Sequence, residues 1–290
     1  MFSFRYHAIS LVAVFLALGI GVLLGVSIGE GGVVSGARES LEDSLRGDLD
    51  NERSKVADAR RELGIRDSFE RQAYPGLVGD LLPRFRVGIL AVGNLPSGYA
   101  ESIREGVEPA GAQIESISVV RAPLALGRIA GALKGTSLAG LKEDPDALGR
   151  FARRLGRQLV NGGGLPERVQ HQLFSSSRGV YRGLDGVVLV RDRDNLSGAE
   201  KAAEDTLEKA LIDGLESTDK EIVGVELRST DPSQVPFMAS RGLATVDDVD
   251  LVAGRTALVY ALLGAEGQFG IKRSADQLLP PPPLERSASR

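Results

Sequence analysis

Between Ala8 and Gly29 the chain runs for 22 residues without a charged side chain, near its N-terminus and ahead of a body rich in charge. At 1.5 Å per residue such a helix is roughly 33 Å long, enough to cross a hydrocarbon layer of about 30 Å. A secretory signal peptide has a shorter apolar stretch, about 7 to 15 residues, followed at once by a small-residue cleavage site. Here the nearest such site, Ser35-Gly36-Ala37, lies well past the end of the run, so the sequence predicts an uncleaved anchor. Arg5, the α-amino group and His7 precede the run, whereas Glu30 follows it and no basic residue comes before Arg38. Basic flanks stay on the cytoplasmic side. Residues 1–7 are therefore predicted as a cytoplasmic flank, 8–29 as a single-pass transmembrane helix of the cell membrane, and the rest as extracytoplasmic.

Inside the span Ala13, Ala17, Gly21, Gly25 and Gly29 recur every four residues. That spacing puts them in one stripe along a helix, and its glycine part is a doubled GxxxG, which lets a second helix approach closely. Glycine and alanine are also simply common in membrane spans. Five in register point to self-association through this face.

After a glycine-rich joint at Gly29 to Gly36, residues 38–71 are dense in charge and nearly free of turn residues. Leu45, Leu49, Val56, Ala59 and Leu63 fall on a and d positions of a heptad, while Glu52 and Arg66 occupy two further d positions. We read a short coiled-coil stalk, the alternative being a solvated amphipathic helix. Paired anchors upstream raise the local concentration of this segment and favour a homodimer through span and stalk.

From Arg84 the pattern becomes that of an α/β domain, predicted over 84–275. Val87 to Val92 is a buried-type strand. Ser97 is placed to cap a helix carrying Tyr99, Ile103 and Val107, and Ile114 to Val120 is the next strand. Arg121 to Gly140 is small-residue-rich and yields no assignment. Asp144-Pro145 opens a helix with Leu148, Phe151, Leu155 and Leu159 on one side, stopped by Asn161-Gly162-Gly163-Gly164, and Pro166 to Phe174 reads as a second helix. Val187 to Val190 is a strand, Ser197 to Glu200 a capping box for a helix with Leu207, Leu211 and Leu215, and Glu221 to Leu227 a strand. Thr245-Val246-Asp247-Asp248 is predicted to cap a last helix running to Leu263, and 279–290 is a Pro-rich tail. Alternating strands and helices imply one doubly wound, Rossmann-like domain with four or five mostly parallel strands.

The chemistry-bearing residues are few. Gly93-Asn94-Leu95-Pro96-Ser97-Gly98 lacks the G-x-G-x-x-G spacing of a pyrophosphate loop, and no Gly-Lys-Ser or Gly-Lys-Thr occurs. Gly135-Thr136-Ser137-Leu138-Ala139 ends in alanine where a nucleophile elbow needs glycine. With no cysteine, two histidines and two methionines, thiolate and disulfide chemistry are excluded and soft Cu(I) has little to bind. Asp247, Asp248 and Asp250 offer oxygen ligands for a hard cation, but at a helix start they serve more simply to offset its positive end. A net charge of -4 argues against nucleic acid as a partner. Arg150, Arg153, Arg154 and Arg157 fall at i, i+3, i+4 and i+7, a basic stripe that is either a solvated face or a partner surface for an acidic protein or anionic envelope polymer. These residues predict no enzyme, no cofactor and no metal site.

Two stretches carry a resemblance. The N-terminus Arg5-Tyr6-His7-Ala8-Ile9-Ser10-Leu11-Val12-Ala13-Val14-Phe15, with the rest of the span, resembles that of the actinobacterial copper transport protein MctB family. So do Thr245-Val246-Asp247-Asp248-Val249-Asp250, Ala253-Gly254-Arg255, Gly267-Gln268-Phe269-Gly270 and Leu278-Leu279-Pro280, with Phe269 where the family usually has tyrosine. The resemblance covers nearly the whole chain. It implies a membrane-anchored envelope protein of copper transport or homeostasis, in a family also described as outer membrane. The family includes the cell-division protein SteB, described as pairing with SteA in control of peptidoglycan hydrolysis, so a scaffold with a SteA-like partner is the second expectation. No copper ligands carry over, and one apolar helix beside an α/β body does not line a pore by itself.

Overall fold

The computed structural model describes residues 4–30, 33–138, 140–141, 144–192 and 198–282. It divides into two units, Met1–Ser68 and Phe69–Arg290.

The first unit is helical. The apolar run forms α1 (Phe4–Glu30), whose stretch from Tyr6 to Ser27 is 0% buried by other parts of the chain. The second helix, α2 (Val33–Val78), begins inside the glycine-rich stretch expected to be a joint and continues through the segment read as a stalk. Its charges are answered along the helix itself. Lys55 meets Glu52 at 2.7 Å, Arg61 meets Asp58 at 2.8 Å and Arg66 meets Glu62 at 2.6 Å. Each such exposed i,i+3 or i,i+4 pair contributes roughly 0.2–0.5 kcal/mol.

The second unit takes up the last turns of α2 and builds a seven-stranded sheet from β1 (Arg86–Gly93), β2 (Gln113–Val120), β3 (Phe174–Gly179), β4 (Gly186–Asp192), β5 (Glu221–Val225), β6 (Ala244–Val246) and β7 (Gln268–Phe269). Their order is β3-β2-β1-β4-β5-β6-β7, parallel throughout except for the antiparallel edge strand β3. The apolar run in β1 holds the middle because strands buried on both faces need side chains that pack on both. Leu90 and Val92 face one core, and Val87, Ile89 and Ala91 face the other.

The remaining helices are α3 (Tyr99–Val107), α4 (Leu126–Ala132), α5 (Pro145–Asn161), α6 (Gly164–Leu173), α7 (Gly198–Glu216), α8 (Val235–Ala239) and α9 (Val252–Ala261). The end of α2 joins α3 and α9 on one face, through Tyr74, Val78, Ile103, Val107 and Leu258. The other face is covered by α4 to α8, with Ile129, Phe151, Val169, Leu211 and Met238. Helices α5 and α7 touch backbone to backbone: a Cβ on Gly156 would overlap the Leu211 carbonyl, and one on Gly214 the Arg153 carbonyl. Asp144 caps α5 as expected, accepting from the Asp146 amide at 2.8 Å.

Several expectations need correcting. Seven strands replace four or five, because β6 and β7 have three and two residues, too short for a period-2 pattern, and β3 reads Phe-Ser-Ser-Ser-Arg-Gly, a polar edge. Gly98, at φ 94°, stands at the N-cap of α3 in place of Ser97. Thr245 and Val246 lie in β6, and α9 starts only at Val252, after Leu251. The aspartates there are engaged elsewhere: Asp247 accepts the amides of Ile271 and Lys272, and Asp250 that of Arg228. The expected cap Ser197 and the tail beyond Pro282 lie outside the described residues.

Candidate functional surfaces

The two helices of the first unit present apolar side chains that are exposed among the described residues. On α1, Leu11, Phe15, Leu18 and Leu23 are between 62% and 73% exposed. The small residues Ala13, Ala17, Gly21, Gly25 and Gly29 all fall within this helix, and a Cβ added at Gly21 or Gly25 would meet nothing within 4 Å. On α2, Leu45, Leu49, Val56 and Leu63 are each about half exposed or more. An open apolar groove of about 390 Å³ runs along Leu49, Val56 and Ala57, rimmed by Glu52, Arg53 and Arg60. Several charges pair with one another along the helix, and the apolar stripe is uncovered among the described residues.

The basic stripe of α5 is equally exposed, opposite the buried Leu148, Phe151, Leu155 and Leu159. Arg150 reaches the capping Asp144 at 3.1 Å, and Arg153 stands 3.9 Å from Asp213 of α7. Arg154 and Arg157 make no ion pair with a described residue. Half of the stripe is therefore engaged within the described fold, through Arg150 and Arg153.

Parallel sheets bind ligands at the carboxyl ends of their strands where the strand order reverses, here between β1 and β4. There the Asn94 amide, just after β1, continues the β1–β4 ladder by donating to the Asp192 carbonyl at the end of β4, 2.9 Å away. Next to it lies a buried polar network. Glu226, wholly buried at the end of β5, accepts from the Ser233 hydroxyl (2.8 Å), the Gln234 amide (2.6 Å) and the Lys272 ammonium (2.6 Å). Lys272 also donates to the carbonyls of Leu227 (3.1 Å) and Thr230 (2.8 Å). The Tyr99 hydroxyl stands 2.8 Å from the Thr230 hydroxyl, and burial pushes it up in spite of that bond. Arg191, at the end of β4, donates to Glu208 at 2.7 Å and lies over the Phe237 ring, 4.2 Å from its centre. These groups come from segments far apart in sequence, so no spacing announces them. Their bonds are to one another and to the backbone, which makes the network a clasp on the loops at this edge.

Of the candidate copper donors, Met1 lies outside the described residues. His7 is exposed on α1, His171 is exposed in the last turn of α6, and Met238 is wholly buried beside Gly224 of β5. No group of three histidine, aspartate or glutamate side chains suited to a metal ion occurs among the described residues. No curated protein matches the chain. A family model described as "Copper transport outer membrane protein, MctB" matches residues 1–280. That is essentially its full length, and the chain belongs to the MctB family of copper transport proteins.

Proposed function

We propose that this MctB-family protein is a single-pass, non-enzymatic component of copper transport that pairs with a second copy and holds partners at the membrane, rather than ligating the metal itself. The observation that carries this reading is the exposed apolar stripe of α1 and α2. Lipid covers such side chains on a spanning helix, but Leu45, Leu49, Val56 and Leu63 lie beyond the span and need protein cover, which a parallel second copy supplies as a coiled coil. On this reading the basic flank at Arg5 keeps the N-terminus in the cytoplasm and leaves the α/β body, taken as Rossmann-like, outside. Arg154 and Arg157 of α5, which pair with no described residue, offer their charge to an acidic partner. The second reading, a scaffold that links a SteA-like membrane partner to control of cell-wall hydrolysis, draws on the same α2 stripe.

Isothermal titration of the full chain in detergent with Cu(I) and with Cu(II) tests the reading. It expects no site of micromolar or tighter affinity, because soft Cu(I) needs thiolate or clustered thioether ligands and the chain has no cysteine, two methionines and two histidines. A micromolar site for either ion would overturn it.

A further inference from the structure

Between β6 and α9 the chain reads Asp247-Asp248-Val249-Asp250, and the three carboxylates have different surroundings. Asp247 is wholly buried and accepts the amides of Ile271 (2.8 Å) and Lys272 (3.0 Å). Asp250 accepts the Arg228 amide at 2.9 Å and pairs with its guanidinium at 3.3 Å. Asp248 is also wholly buried, yet among the described residues neither of its oxygens has a hydrogen-bond partner beyond its own backbone amide. It lies flat against the first turn of α9, where a Cβ on Gly254 would stand 2.5 Å from its Oδ1. No side chain caps that turn, whose N-cap residue is Leu251. The first amides of a helix have no partner within it, so a carboxylate beside them is one small movement from becoming their cap.

A line of tight contacts leads from this turn to the end of α2. Arg255 follows Gly254, and its Cβ and Cγ pack onto Gly106 of α3, each 3.4 Å from where a Cβ there would be. Its guanidinium pairs with Glu105. The Gly106 carbonyl accepts the hydroxyl of Tyr74, 2.6 Å away and buried, which seats the end of α2 in the core. Glycine at both Gly106 and Gly254 leaves no flexible side chain to absorb a shift between them.

We propose that Asp248 is a proton switch for the seat of α2 in the α/β body: protonated, it leaves the Arg255–Gly106–Tyr74 contacts as described, and ionised, it draws the uncapped amides of Val252, Ala253 and Gly254 onto itself and moves Arg255 off Gly106. The groups facing it are Asp247 and Asp250 from its own turn, which disfavour the charge, and Lys272 from the loop after β7, which favours it. Arg255, on α9, is neutralised by Glu105. Burial outweighs the rest and pushes the Asp248 carboxyl up to about 7. Because the folded state holds the proton more tightly than the unfolded chain, the stability linked to this group is complete below the ordinary aspartate range. It is lost as pH rises towards 7. The switch therefore works around neutrality, and deprotonation loosens the seat.

The test is amide hydrogen exchange on the full chain in detergent, expressed as protection factors over residues 69–78 at pH 6 and pH 8. Wild type is expected to lose about tenfold in protection between the two, while Asp248→Asn keeps the pH 6 value at both. Equal protection at both pH values in wild type, or a variant that follows wild type, overturns the proposal. Should the variant fail to fold, the carbon-13 carboxyl resonance of Asp248 and the ring resonances of Tyr74 in wild type decide. A shared midpoint near pH 7 supports the switch, and a carboxyl midpoint near 4 or a Tyr74 signal that does not follow it overturns it.

Discussion

The helices of the first unit and the α/β body handle apolar side chains in opposite ways. In the body Leu155, Leu189 and Leu211 are wholly buried between sheet and helices. On the helices Leu23 is 73% exposed and Leu49 is 55% exposed. Both regions are regular and well patterned, so the contrast is not one of order. It concerns where the cover comes from: the body supplies its own, and on the proposed reading the helices take theirs from lipid and from a second copy.

Glycine offers the sharpest way to break that comparison, because the same substitution has opposite consequences in the two regions. Gly214→Leu drives a side chain into the Arg153 carbonyl at the α5–α7 crossing and should cost the body about 3 kcal/mol or more in denaturant unfolding. A loss below about 1 kcal/mol would show that the two helices can part without harm. Gly21→Leu with Gly25→Leu meets open space, should leave unfolding of the body unchanged, and should lower the dimer yield in native membranes through loss of close helix approach. An unchanged yield would reduce the span to an anchor. The smallest effect is expected on α5. Arg154→Gln with Arg157→Gln should change stability by no more than about 0.5 kcal/mol, since both are exposed and pair with no described residue, while weakening co-purification of an acidic partner from membranes. Full recovery of that partner would make the stripe a solvated face.

Much of this was legible in the sequence where a local pattern decides the outcome. The uncharged run of α1, the alternation of strands and helices, and the Asp144-Pro145 start of α5 each carry their cause within a few residues. What escaped depends on distant partners. The strand β6 exists because Val223 to Val225 offers a parallel edge, and Asp247 does not cap a helix because the amides of Ile271 and Lys272 reach it first. The same holds for the Glu226–Lys272 clasp and for the contacts from Asp248 to Tyr74, which no spacing rule connects. On α2 the heptad positions could be read off directly, but a lone helix does not disclose what covers it.

That cover can be asked about directly, because the chain contains no cysteine and a single one can be introduced at will. In native membranes under mild oxidation, Val56→Cys, on the apolar stripe, should form a covalent dimer readily, and Ser54→Cys, away from the stripe, should not. Cross-linking confined to Val56 is the result this account predicts. Equal cross-linking at both positions, or none at Val56, would contradict the claim that a second copy covers the helix.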